Sequence, residues 1–154
     1  MSQGLGEMAT NQLLEAASAH VQTRRQRGYE MSSLLQSFNL TDEFNILRII
    51  CGAFFIPHIY AKFFVPEALG FFVAAKFKPP AAWMYTACVV ETVLAFGLIF
   101  GLYTTYAGWI AAIHLCVAAV AVYRVTGGKW LWNIGGAEYC VFWAIACAVV
   151  AMHG

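Results

Sequence analysis

Five residues of this 154-residue chain bring polar chemistry into otherwise apolar sequence: His58, Lys62, Glu91, His114 and Glu138. Glu91 is the most isolated, because the run from Ala82 to Tyr103 holds no other charged side chain. A charge at mid-bilayer costs about 2.5 kcal/mol or more, so such a group faces the interior of a helix bundle and finds a partner. His114 lies near the middle of another apolar run, at the depth expected for Glu91. The simplest expectation is a buried carboxyl that is held by this imidazole or kept protonated. His58 and Lys62 are one helical turn apart, and Glu138 opens the last apolar run at a matching depth nearer one surface. His58, Lys62 and Glu138 are therefore expected to form the polar mouth of a cavity, with Glu91 and His114 deeper inside. Lys62 or neutral His58 can donate to a carbonyl oxygen, and a carboxyl can relay protons. Phe55, Val89 and Phe142 are the expected apolar walls.

Each residue also has a purely structural reading. Lys62 and Arg48 can snorkel to the headgroups, which is the expectation for both. Glu138, in a first helical turn, can simply answer the helix dipole. Glu91 can serve as an interhelical hydrogen bond worth about 0.6 kcal/mol or more. Haem ligation by His58 and His114 is disfavoured by their different depths, and no metal site is expected. The five cysteines lie inside apolar runs, and none is spaced Cys-x-x-Cys. That spacing argues against a dithiol oxidoreductase, which needs an attacking and a resolving thiol, and leaves the cysteines as small packing residues.

The elements that must position these residues follow from composition. The chain is 61% hydrophobic and 11% charged, against roughly a quarter charged in soluble domains. A bilayer core about 30 Å thick needs roughly 20 apolar residues per helix. Four such runs are predicted, at Asn45 to Val65, Ala82 to Tyr103, Thr105 to Val125 and Gly135 to His153. Thr41 is the expected cap of the first, with Asp42 and Glu43 facing its positive end. Pro57 is expected to kink that helix beside His58. Phe71, Phe72 and Phe77 suit the acyl boundary of an interfacial segment, and Trp130 and Trp132 an interface belt.

Residues 1–40 form a polar arm without a secretory signal pattern. Leu13, Leu14, Ala17 and Val21 predict one short helix, and a capping box at Ser33 a second. The arm is expected to lie on the membrane surface or against a partner. A net charge of +1 with one short basic tract, Thr23 to Arg27, excludes nucleic acid as a partner. Basic residues are balanced between the two faces, so the positive-inside rule gives no orientation.

Three stretches resemble the DoxX family of small four-helix membrane proteins. "LRIICGAFFIPHIYAKFF" is similar to its Leu-Arg start followed by His-Gly-x-x-Lys. "VVETVLAFGLIFGLYTTYAG" is similar to its Glu- and Gly-containing pattern ending Thr-Arg, and "WNIGGAEYCVFW" to its Asn-x-Gly-Glu-Tyr opening of the last helix. Ile59 departs from the family glycine and Tyr106 from the arginine. The resemblance spans about residues 45 to 154 and picks out Arg48, His58, Lys62, Glu91 and Glu138. It implies an all-α integral membrane four-helix bundle over residues 41–154, in a bacterial-type inner membrane with cytoplasmic termini. It further implies a subunit beside other membrane proteins in a redox assembly, since one family member belongs to a thiosulfate:quinone oxidoreductase, and with it a quinone as the expected ligand of His58, Lys62, Glu91, Glu138 and His114. The alternative is a non-catalytic structural or assembly subunit, whose buried polar pairs only fix helix register.

Overall fold

The computed structural model describes residues 2–129 and 136–154. Among these residues the chain forms seven helices and no strand: α1 (Ser2–Ser37), α2 (Glu43–Ala53), α3 (Phe55–Phe64), α4 (Ala68–Ala74), α5 (Pro80–Phe100), α6 (Thr104–Val125) and α7 (Ala137–His153). They divide into two compact units, Met1–Asn39 and Leu40–Gly154.

The first unit is the single 36-residue helix α1. Its backbone runs unbroken through Ser33, so the expected second helix start there is not formed. Alanine, glutamine, leucine and arginine are strong helix formers, and the interruption at Gly28 costs only about 1 kcal/mol.

In the second unit α2 is capped by Asp42, not Thr41: the Phe44 N–H donates to the Asp42 carboxylate at 2.9 Å. The path of α2 and α3 breaks at Phe54. Pro57 explains the break, since it cannot donate to the carbonyl of Ala53 and its ring crowds that turn. After the break, α4 folds back so that Phe72 is buried, touching Phe71 and Phe77, and Phe77 in turn meets Trp83. Phe72 thus packs inward, where an acyl-boundary position was expected. Pro80 starts α5 at the position where a missing N–H is harmless. Gly101 ends it with φ 69°, and Leu102 closes the turn by donating to Gly97 at 2.8 Å.

Among the described residues, three apolar stretches are long enough to cross a membrane: Glu43–Phe64, which combines α2 and α3, Pro80–Phe100 and Thr104–Val125. The fourth apolar helix, Ala137–His153, has 17 residues, about 25 Å at 1.5 Å per residue. Four full-length spans were expected; three reach that length, and the predicted start of the fourth at Gly135 lies outside the described residues. So do Trp130 and Trp132. Outward-facing side chains such as Val93, Phe96, Ile113 and Ile145 are exposed and apolar. This is an integral membrane protein whose outer surface matches lipid.

The core joins Cys51 and Phe55 to Leu98, Leu115, Trp143 and Cys147. Its tightest seam lies between α6 and α7, where a Cβ on Gly108 would stand 2.7 Å from the Ala151 Cβ and 2.9 Å from the Cys147 carbonyl. Small residues permit that approach.

Candidate functional site

The inward stripe of α5 consists of Met84, Cys88, Glu91, Leu94, Ala95 and Leu98, spaced at three and four. Glu91 therefore points into the bundle and is 6% exposed. Beyond the Pro57 break, Phe55, Ile59 and Lys62 follow one stripe of α3. Lys62 uses its long stem to reach inward. Its Nζ stands 2.6 Å from Glu91 Oε2 and 2.8 Å from Oε1, and it also donates to the His58 carbonyl at 3.3 Å. From α6, His114 Nε2 approaches Glu91 Oε1 at 3.2 Å. Three helices thus deliver one carboxylate, one ammonium and one imidazole to a single point inside an apolar bundle.

Burial explains the geometry. A carboxylate removed from water must be paired, and the nearest cation within reach is the Lys62 ammonium. Lys62 therefore turns inward, where snorkelling to the headgroups was expected. Arg48 departs from the same expectation. It is 4% exposed and donates from Nη1 to the carbonyls of Leu98 and Ile99, the latter at 3.0 Å, and from Nη2 to Asn45 Oδ1 at 3.3 Å. Those carbonyls belong to the last turn of α5, where backbone acceptors lack intrahelical donors. Arg48 closes the C-terminus of that helix.

The expected mouth is arranged differently. His58 is exposed and lays its ring toward Trp143, with centroids 5.6 Å apart. Glu138 sits on the first turn of α7 with its carboxylate folded back over Gly136, where any Cβ would collide with it. Among the described residues, the ion pairs of the group are Lys62–Glu91 and His114–Glu91. Of the expected walls, Phe55 is inside, while Val89 and Phe142 are 64% and 72% exposed and face outward.

Sequence reasoning missed Trp143. It is 4% exposed, and its Nε1–H has no acceptor among the described residues. Its ring meets Phe55 at 4.5 Å, and Phe55 in turn lies 6.2 Å from His114. Phe55 is thus the link between the ion-paired group and the indole. The only signal was periodic: Trp143, Cys147, Val150 and Ala151 form one apolar stripe of α7, which reads as ordinary core.

The arrangement can hold and move protons. Glu91 accepts from Lys62 and lies within hydrogen-bonding distance of the His114 ring, so three groups that can each take up or release a proton meet at one point. A family model described as DoxX matches residues 44–124. The match covers just over half of the chain, including Arg48, His58, Lys62, Glu91 and His114. It stops short of Glu138, although the resemblance was expected to extend to residue 154. No curated protein and no solved structure matches the chain.

Proposed function

This chain belongs to the DoxX family, and from that premise we propose that it is a small subunit of a quinone-linked redox assembly in a bacterial-type inner membrane. It crosses the bilayer four times, with α7 as the short fourth span and both ends of the second unit on one side. Its partners are other membrane subunits, which deliver the electrons, and its N-terminal arm (residues 1–40) contacts lipid headgroups or such a partner.

The observation that carries this reading is the buried Lys62–Glu91–His114 group. Ionisable groups inside membrane helices are costly and mark proton or substrate paths by default. The residues also fit the headgroup of a quinone: donors at Lys62, His58 and His114, an orphaned indole N–H at Trp143, and aromatic surfaces beside them. A bound quinone supplies a carrier of two electrons and two protons. Lys62 and His114 hold Glu91 in place and exchange protons with it, while Phe55 and the surrounding apolar side chains keep water away. Glu138 stands at the rim, on the first turn of α7.

The closed geometry of the group favours a second reading, in which the three residues only fix the register of α3, α5 and α6. Titration of the purified protein in lipid nanodiscs with decyl-ubiquinone separates the two. The quinone reading expects saturable binding, weakened about tenfold, or roughly 1.4 kcal/mol, by Glu91→Gln and less by His58→Ala. Wild-type protein that binds no decyl-ubiquinone leaves the structural reading.

A further inference from the structure

We infer that Trp143 is the hydrogen-bond donor of a subsite for a neutral, lipid-soluble carbonyl compound, lying between the α2–α3 break and α7. The inference rests on the quinone reading above and gives one of its donors, the indole, a specific place and role.

The first observation is the orphaned donor. An amide-like N–H buried without an acceptor costs about 1–3 kcal/mol, and folded proteins leave few such groups. Within a bilayer the usual remedy, a water molecule, is scarce. The Trp143 indole is nonetheless buried, and its N–H meets no acceptor among the described residues.

The second observation is what surrounds it. Phe54, Phe55, His58 and Tyr139 place their rings 6.0, 4.5, 5.6 and 6.0 Å from the Trp143 ring. Three of these come from the break and the start of α3, and Tyr139 from the turn of α7 below the indole. Yet α7 packs on α6 and α2, and α3 packs on α5. The backbones that carry these rings are therefore not a tight helix pair, and side chains alone span the space between them.

The chemistry of the occupant follows. Phe54 and Tyr139 are 46% and 40% exposed on the outer surface of the bundle, and His58 is exposed too. The approach is from lipid, so the ligand is lipid-soluble. An anion would enter hydrocarbon at high cost and meet the charge of Glu91, whereas a neutral carbonyl oxygen accepts from an indole N–H without such a penalty. A flat ring can lie against the exposed rings of Phe54, His58 and Tyr139, which surround the indole, in the offset or tilted arrangements that aromatic rings prefer. A substituted quinone ring with an alkyl tail has all three properties.

The test isolates the N–H from the ring. Trp143 is replaced by 3-benzothienylalanine, an isostere that keeps the bicyclic ring and carries sulfur in place of N–H. Both proteins, as full chains in nanodiscs, are titrated with decyl-ubiquinone, and the indole ¹⁵N–H resonance of Trp143 is followed in the wild type. The expected result is a Kd about tenfold higher for the isostere, a downfield shift of the Trp143 N–H on binding, and no shift with decylbenzene, which has the tail but no carbonyl. Equal affinities with an unmoved resonance would overturn the subsite and leave the quinone reading intact. If Glu91→Gln lowers affinity while the isostere does not, the ring binds elsewhere in the bundle. Absence of any decyl-ubiquinone binding to the wild type removes both.

Discussion

Among the described residues two charges are buried in the same bundle, Arg48 toward one end and Glu91 at mid-depth, and they are satisfied in opposite ways. Arg48 gives its protons to backbone carbonyls at the end of α5 and to Asn45. Glu91, at the middle of the same helix, is held by two side chains that can themselves lose or gain a proton. A guanidinium stays protonated at any physiological pH, and a helix C-terminus is a fixed partial negative charge. The Arg48 contact is therefore a permanent cap. The Glu91 contact is conditional on the protonation of three groups, which is what chemistry requires and a cap does not. Under the proposed function, that contrast places structure at Arg48 and chemistry at Glu91, and it can be broken by experiment.

The largest effect is expected at Glu91. Glu91→Ala leaves the Lys62 ammonium buried without its counter-charge, and removing one partner of a buried pair costs about 3–5 kcal/mol. Replacing the pair together, as Lys62→Met with Glu91→Leu, should recover most of that stability, because well-packed apolar residues commonly equal or exceed a buried ion pair. The thermal unfolding midpoint in a fixed detergent reads both. A double variant that is stable and still binds decyl-ubiquinone like the wild type would make the Glu91 group as structural as the Arg48 cap.

Next comes Arg48→Met. Hydrogen bonds from a charged donor contribute about 1.5–3 kcal/mol each, so the loss is on the order of 2–3 kcal/mol after the methionine fills part of the space. Affinity for decyl-ubiquinone, measured on the folded fraction, should not change. A change at this distance would join the two charges into one functional unit.

How much of this contrast could be read in advance depends on the residue. Glu91 and His114 were legible because each stands alone in an apolar run, and equal depth is a property of sequence position. The direction of Lys62 was not. A long flexible side chain near a helix end can turn either way, and what decides is a carboxylate contributed by a distant helix. Arg48 was misjudged for the same reason: its acceptors are backbone carbonyls, which have no sequence signature. Trp143 was invisible because a core tryptophan and a ligand-binding tryptophan share one periodicity. Cys51 and Cys147, buried in one core from α2 and α7, show the limit of spacing rules: helix packing joins residues that no short motif could. The four apolar runs and the kink at Pro57 were read from length and from proline chemistry alone.

A third prediction sharpens the structural side of the comparison. Gly108→Ala places a methyl group against the Ala151 Cβ and the Cys147 carbonyl. Overpacking of a well-packed core costs about 1–3 kcal/mol, and part of the clash is with backbone, which cannot simply rotate away. The unfolding midpoint should fall while ligand affinity holds, as for Arg48→Met.

The smallest effect belongs to the last turn of the chain, at the same end as Arg48. His153 stacks on Phe44 with ring centroids 3.7 Å apart and an angle of 18°, and its Nδ1 bonds to the carbonyl of Val149 at 2.9 Å. Beside it, Thr105 donates to the carbonyl of Gly154 at 2.7 Å. These contacts pin the end of α7 against the start of α2 and the start of α6. An aromatic pair is worth about 0.5–1.5 kcal/mol beyond its area, and His153 is exposed, so His153→Ala should cost on the order of 0.5 kcal/mol. The ligand site should not respond, because the stack is separated from Glu91 by half of the bundle. His153→Phe keeps the stack without the Val149 bond and should restore most of the loss, which assigns the effect to the rings. If His153→Ala instead weakens decyl-ubiquinone binding, α7 transmits strain from its C-terminus to Trp143, and the two ends cannot be assigned separate roles.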